Sequence, residues 1–110
     1  MLLLPEAAWP QFYRGRATAW PLHGISLAEG DPMLGETFAC NAEPAAKARQ
    51  EPITVHRIVV TTVAELTPED AAACGLFGPY ELTSELERQA GEVSREDPVI
   101  LVHFRRRRAL

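Results

Sequence analysis

Short apolar and β-branched runs alternate along the chain with polar stretches that contain glycine and proline. These runs predict strands over residues 2–4, 16–22, 34–40, 53–63 and 99–104. The run at 53–63, ITVHRIVVTTV, is the clearest of them because β-branched residues dominate it. The chain therefore contains enough strand signals for one small sheet.

Spacing and cap signals predict a helix over residues 6–14. Phe12 and Tyr13 follow Trp9 by three and four positions, so a helix places all three on one face, with Trp9 in the core. Gly15 follows as a C-terminal cap, since glycine readily adopts the left-handed conformation that ends many helices.

Two capping boxes predict two further helices. Thr67 with Asp70 begins a helix that Gly75 ends. The box at 84–87 begins another, which extends to about residue 93. Residues 24–32 and 42–51 lack strand periodicity and are predicted as loops, the second with the alternative of a short helix.

The order of elements is strand, helix, three strands, two helices and a last strand. Because strands and helices do not alternate regularly, an α+β mixed barrel is favoured over a doubly wound parallel sheet. A chain of 110 residues fits a single domain over 1–110, with a basic C-terminal tail over 105–110. This length suffices for a core without disulfides or metal.

Charge is distributed unevenly along the chain. The hydrophobic fraction of 46% and charged fraction of 24% are those of an ordinary globular protein, and the net charge of −4 disfavours strong non-specific DNA binding. Acidic residues dominate 65–97, whereas basic residues cluster at Arg14 and Arg16 and in the run Arg105–Arg108. We therefore expect the surface charge to be distributed asymmetrically.

Neither a metal site nor a cofactor site is predicted. Cys40 and Cys74 are far apart in sequence and form no CxxC pair, so free thiols are favoured over a disulfide. The three histidines, His23, His56 and His103, lack metal-ligand spacing.

The apolar start at residues 1–5 is too short for a signal peptide, and no run reaches the roughly 20 apolar residues of a membrane helix. We therefore expect a cytoplasmic protein with no membrane association.

Six short segments follow one another along the chain. They are WPQFYRG at 9–15, RAT at 16–18, Gly30-Asp31, TPEDA at 67–71, the leucines between 82 and 86, and VILVHF at 99–104. Their order and spacing resemble those of the ASCH family of PUA-like proteins. The resemblance covers almost the whole chain and implies a PUA-like mixed β-barrel with short helices inserted between its strands.

The chain departs from the family motif Gly-x-Lys-x-x-Glu-x-Arg. Gly15 matches, but Ala17, Trp20 and Leu22 stand at the Lys, Glu and Arg positions. The family's small hydrolases of N4-acetylcytidine use a Lys and a Thr on this strand and a Glu after the long strand. Ala17, Trp20 and, approximately, Cys74 match those positions here. Amide hydrolysis needs a nucleophile, a base and an oxyanion donor. Ala17 can supply none of these, and Trp20 can only donate a hydrogen bond or stack. No catalytic residue is therefore predicted.

The resemblance implies a non-catalytic module that binds RNA, a nucleotide or a modified nucleoside in a cleft beside residues 15–22. The guanidiniums of Arg14 and Arg16 would hold phosphate, and Thr18 and Trp20 would contact or stack on a base. Structural explanations are also open: the two arginines could form a solvated helix end, the tryptophan could belong to the core, and His23 could be a solvated loop residue. The candidate ligand-binding residues are Arg14, Gly15, Arg16, Thr18, Trp20 and His23.

Two alternatives remain open. One is an amidohydrolase or ribonuclease with a relocated site that uses Cys74, His23 or a nearby carboxylate. The other is a protein-interaction or inhibitor module that acts through the acidic helical face of residues 65–97. The basic run Arg105–Arg108 suits a nucleic-acid backbone, an acidic protein partner or a solubilising tail.

Overall fold

A computed structural model describes residues 1–24, 34–43 and 49–107. Residues 25–32 of the loop predicted at 24–32, including Gly30-Asp31, lie outside these residues, as do residues 44–48 of the segment predicted at 42–51. Gln50 and Glu51, predicted to belong to that segment, are instead the first residues of a strand. Residues 108–110 of the predicted tail also lie outside the described residues.

Five strands form one mixed sheet in the order β1-β3-β4-β5-β2. The pair β1–β3 is parallel, and the other pairs are antiparallel. The sheet curls into a half-barrel, so the α+β prediction is confirmed at this level. The strands are β1 (Leu2–Leu4), β2 (Ala19–His23), β3 (Gly35–Asn41), β4 (Gln50–Thr62) and β5 (Pro98–Arg106).

Short helices lie between the strands, as the sequence predicts. The α-helices are α1 (Trp9–Tyr13), α2 (Pro68–Ala73) and α3 (Pro79–Ala90), and single 3-10 turns span Glu6–Ala8 and Val63–Glu65. Within the described residues, no helix has the length and apolar character needed to cross a membrane.

The core lies between the concave side of the sheet and the three helices. Its largest fully buried side chains include Trp9 and Phe12 of α1, Trp20 of β2 and Phe104 of β5. The ring of Phe12 stacks on Phe104 with centroids 5.7 Å apart and meets the edge of Trp9 at 5.1 Å. The aromatic face predicted for the first helix therefore docks α1 on the sheet.

Helices α1 and α2 end in the same hydrogen-bonded arrangement. Gly15 and Gly75 both have a φ of +73°. The residue after each glycine donates its backbone N–H back into the helix, from Arg16 to Gln11 at 3.0 Å and from Leu76 to Ala71 at 2.9 Å. These are Schellman caps, and both glycine stops predicted from the sequence are confirmed.

Helix α2 begins as the sequence predicts. Thr67 accepts from the backbone N–H of Asp70 at 3.1 Å, and the Asp70 carboxylate accepts from the N–H of Thr67 at 3.0 Å. This closed capping box satisfies two backbone donors that the helix itself leaves free.

The predicted start of α3 at Ser84 is wrong. The helix begins at Pro79, after the extended residue Gly78, and ends at Ala90 before Gly91 at φ +82°. Proline suits the first helical position because its fixed φ is already helical and its missing N–H is not needed there. Ser84 consequently lies within the helix.

Strands β2 and β5 differ from their predicted bounds. Strand β2 starts at Ala19 rather than residue 16, because the backbone N–H groups of Arg16 and Ala17 donate to Gln11 and complete the end of α1. Strand β5 continues to Arg106, so the tail predicted from residue 105 begins inside the sheet.

Strand β2 forms one edge of the sheet, and a single side chain of α3 covers that edge. Gln89 donates its amide N–H to the Pro21 carbonyl at 2.8 Å and accepts the backbone N–H of His23 at 3.0 Å. Pro21 itself suits an edge because proline lacks a ladder donor. The amide thus satisfies an edge that would otherwise be open to another chain.

Candidate functional site

A cleft of about 320 Å³ lies beside the end of α1, where the sequence predicts the ligand site. The Schellman cap brings Arg16 to this cleft, and the turn after α2 brings Phe77 to it. Phe77 is 93% exposed, which is exceptional for a phenylalanine. The cleft is lined by Gln11, Arg16, Ala72, Gly75, Leu76 and Phe77.

Gln11 also lines the cleft, but its side-chain oxygen lies below the cleft surface. That oxygen is buried and has no hydrogen-bond partner among residues 1–24, 34–43 and 49–107. A buried acceptor without a donor costs free energy, so this atom makes the contact between α1 and its neighbours less favourable.

The arginines predicted to hold phosphate are exposed. Arg14 caps α1, and Arg16 follows Gly15 by one residue. Within the described part of the chain, neither guanidinium has an ion-pair partner. Gly15 is exposed, and a Cβ at this position would meet no atom within 4 Å, so the three residues form an accessible basic rim, of which Arg16 lines the cleft.

Thr18 has a structural role beside this rim. Its backbone N–H donates to the carbonyl of Ala73 at 2.7 Å, and its hydroxyl makes a longer contact to the same oxygen at 3.4 Å. Its own carbonyl accepts from Phe104 at 2.9 Å. Thr18 therefore joins the end of α2 to strand β5, although its side chain remains exposed.

The predicted role of Trp20 as an exposed stacking platform is wrong. Trp20 is only 2% exposed and lies in the core, opposite Val102 of β5. An indole in the middle of a strand has its apolar area buried by the sheet and α3, so no face is left for a base. Leu22, two residues further on, is half-buried and packs against the core.

His23 lies at the other end of β2 from Arg16, so the structure does not bring it to the cleft. Its ring nitrogen Nε2 lies 3.0 Å from the Asp97 carboxylate. The hydrogen bond from His23 and a second from the backbone N–H of Ser94 hold the pKa of Asp97 below its ordinary value. The pair joins β2 to the turn before β5.

Two arginines of the predicted basic tail are held by the protein itself. Arg106 lies over the rings of Phe12 and Tyr13 at 5.1 and 5.2 Å. Arg107 pairs with Glu36 at 3.2 Å. Arg105 is exposed, so among the described tail arginines it is the one available to a partner.

The acidic segment 65–97 is only partly a solvated face. Glu85 is buried and accepts two hydrogen bonds of 2.7 Å from Arg88, so it lies on the buried face of α3. Other acidic residues of the segment are exposed; they are Glu65, Glu69, Glu87, Glu92 and Glu96. Within the described residues, no group of acidic, histidine and cysteine side chains could hold a metal ion.

Cys74 lies beside Ala17, and the two residues form an isolated bridge between α2 and the start of β2. In the predicted resemblance, Ala17 stands at the Lys position and Cys74 approximately at the Glu position of the hydrolases. Burial, with smaller contributions from Asp70 and Glu85, raises the pKa of the Cys74 thiol to about 12. At neutral pH the group is therefore a thiol, and thiolate chemistry at this position is disfavoured.

We expect Cys74 to resist alkylation in the folded protein. The reason is that the reactive thiolate forms only near the raised pKa of about 12 and the side chain is buried. In a Cys40→Ser variant at pH 8, iodoacetamide should label less than about one tenth of Cys74 while the unfolded chain is labelled fully. Equal labelling rates in the folded and unfolded states, measured by mass spectrometry, would contradict this.

Phe77 and Gln11 are the cleft residues that sequence reasoning missed. Phe77 lies in the segment CGLFGP, where two glycines and a proline leave little room for a regular element. That composition could have indicated an exposed turn. Gln11 has no comparable signal, because its unpaired oxygen depends on how α1 packs against α2.

Comparisons with protein-family models, with curated proteins and with solved structures found no match for this chain. The resemblance to the ASCH family therefore stays a prediction, and the cleft's chemistry carries the functional conclusion.

Proposed function

We propose that the chain is a non-catalytic module of the PUA-like, ASCH type that binds single-stranded RNA or nucleotides at the cleft beside α1. One observation carries the proposal: an unpaired arginine, Arg16, and a nearly fully exposed aromatic ring, Phe77, line the same 320 Å³ cleft. The curled half-barrel with inserted helices supports the PUA-like part of the proposal.

Each side chain has a defined task in such binding. Arg16 offers a planar set of donors to phosphate, and Arg14 adds a second cation on the rim. Phe77 takes the stacking role expected of Trp20. Binding through few cations releases few counterions, so the slope of log K against log salt should be shallow.

We expect Phe77→Ala and Arg16→Ala to weaken RNA binding in different ways. Loss of one stacked base removes about 1–3 kcal/mol, so Phe77→Ala should raise the dissociation constant roughly tenfold at every salt concentration. Arg16→Ala should also reduce the slope of log K against log salt by about 1. The measurement is fluorescence anisotropy of a labelled, mixed-sequence single-stranded RNA.

Two variants serve as controls. Tyr80→Ala removes a neighbouring aromatic side chain that is 84% exposed but does not line the cleft. Arg95→Ala removes an exposed arginine near the other end of β2. If the controls weaken binding as much as the cleft variants, binding is non-specific and the cleft proposal fails. If the wild-type protein does not bind RNA, the proposal also fails, and the exposed acidic part of 65–97 becomes the leading surface for a protein partner.

A further inference from the structure

A cluster of four basic side chains lies on the side of β5 that is opposite to the buried ring of Phe104. His103 and Arg105 are two residues apart in β5 and therefore point to the same face of the sheet. Arg57 of β4 is directly opposite His103 in the register, so it shares that face. We call this cluster the His103 patch; its members are His56, Arg57, His103 and Arg105.

An irregularity in β4 brings the fourth member to the patch. The register shifts between Val55 and Arg57, so His56 is the extra residue of a β-bulge. Consecutive residues of a regular strand point to opposite faces, and the bulge lets His56 and Arg57 both approach His103. The centroids of the two imidazole rings are 6.3 Å apart.

The patch holds like charges close together with little acidic compensation. Arg57 and Arg105 are exposed, and neither forms an ion pair with any of residues 1–24, 34–43 and 49–107. Burial lowers the pKa of His103, and the charges of Arg57 and His56 lower it further. Asp70 of α2 opposes this effect, but its carboxylate is already engaged in the capping box of that helix. An anion bound between the basic groups would relieve their repulsion.

The patch is continuous with the cleft proposed to bind RNA. The backbone N–H of Phe104 donates to the carbonyl of Thr18 at 2.9 Å. Arg16 precedes Thr18 by two residues and Arg105 follows Phe104 directly. The Cα atoms of the two arginines are therefore at most about 17 Å apart. A single strand covers this distance with about five nucleotides at the stacked spacing of about 3.4 Å.

We propose that the His103 patch binds the phosphate backbone of the RNA strand that occupies the cleft, and that its two histidines strengthen this contact as the pH falls. The inference rests on the proposed function and adds the direction in which the strand leaves the cleft. A protonated imidazole donates from both nitrogens and carries a positive charge, whereas the neutral ring donates from one. Because an unperturbed histidine has a pKa of about 6.5 and that of His103 is lower, the added charge appears at mildly acidic pH.

An RNA of about ten nucleotides should bind about tenfold more tightly at about pH 5.5 than at about pH 7.5 in the anisotropy measurement. The whole protein becomes less negative as the pH falls, so a variant that carries both His56→Gln and His103→Gln is the matched control. It should retain no more than about a threefold difference. Equal pH dependence in the variant and the wild type would overturn the proposal.

The length of the RNA separates the patch from the cleft. Arg57→Gln and Arg105→Gln should each weaken binding of the ten-nucleotide RNA about fivefold and reduce the slope of log K against log salt by about 1. Neither should affect a dinucleotide, which is too short to reach from the cleft to the patch. Arg95→Gln is the control for an exposed arginine elsewhere and should change neither affinity.

The same measurements distinguish the two ways in which the inference could fail. If Phe77→Ala weakens binding of both RNAs while the two patch arginines have no effect on the longer one, the cleft is correct and the patch is not. If the wild-type protein binds neither RNA at either pH, the proposed function and the patch fail together.

The histidine ring signals in a proton NMR spectrum locate the contact directly. The ten-nucleotide RNA should shift the ring signals of His56 and His103 in a saturable way. Those of His23 should stay in place, because this residue pairs with Asp97 at the other end of β2. Unmoved signals of both patch histidines at saturation would place the strand elsewhere and refute the inference, even with RNA bound at the cleft.

Discussion

Replacing Phe12 with alanine is expected to lower the free energy of unfolding by about 4 kcal/mol. Phe12 has no exposed surface, and its ring contacts Trp9, Tyr13 and Phe104 with centroid distances of 5.1 to 5.7 Å. Its removal opens a cavity and breaks the aromatic contacts that dock α1 on β5. Because domains of this size have about 5–15 kcal/mol of stability, the loss is large.

Tyr13→Ala is the matched control for this variant. Tyr13 belongs to the same aromatic cluster and the same five-residue helix, but 43% of it is exposed. We expect it to cost about 1 kcal/mol in the same urea unfolding experiment. Similar losses for the two variants would mean that the cluster contributes through helix formation rather than through burial, contrary to the packing described above.

The short helix α1 matters for the proposed function because it positions one side of the cleft beside it. Gln11 lies within the helix, and Arg14 and Arg16 belong to its C-terminal cap. A helix of five residues has little stability of its own. Its position therefore depends on the buried ring of Phe12, and the cleft depends on the core directly beneath it.

Local signals predicted the helix ends well. The Thr67–Asp70 capping box and the glycines at 15 and 75 act over three or four residues, so neighbours in sequence are enough to identify them. The start of α3 also had a local signal, Pro79 after Gly78, which competed with the capping-box pattern at Ser84. The helix begins at the proline because the fixed φ of this residue is already helical and requires no side-chain partner.

Exposure of the aromatic side chains could not be predicted in the same way. Trp20 and Phe77 have comparable apolar character, yet one is 2% and the other 93% exposed. Burial of Trp20 requires β5 and α3, which are far away in sequence. For this reason the proposed stacking role falls to Phe77 instead of Trp20, while the arginines on either side of Gly15 are exposed.

The sheet edge shows a similar dependence on distant residues. Strand β2 could be predicted, and Pro21 within it is compatible with an edge. The cover of that edge is Gln89, 68 residues away, which no local pattern links to Pro21. The same glutamine also donates to Glu85, so this buried carboxylate and the covered edge form one hydrogen-bonded unit.

Gly75→Ala is expected to cost about 2–4 kcal/mol, more than the chemically identical change at Gly15. Both glycines occupy Schellman caps at φ +73°, where a Cβ costs about 1–2 kcal/mol. A Cβ at Gly75 would in addition lie 2.9 Å from the Cβ of Gln11 and 3.3 Å from that of Ala17. A Cβ at Gly15 meets no atom within 4 Å.

The difference between the two variants therefore isolates the close approach of α2 to α1. Urea unfolding should show Gly15→Ala losing only the conformational cost, and Gly75→Ala losing about 1–2 kcal/mol more. Since Gln11 and Gly75 both line the cleft proposed to bind RNA, Gly75→Ala should also weaken RNA binding when folded, whereas Gly15→Ala should not. Equal destabilisation by the two substitutions would show that α1 and α2 separate freely, contrary to the close approach of Gly75 to Gln11.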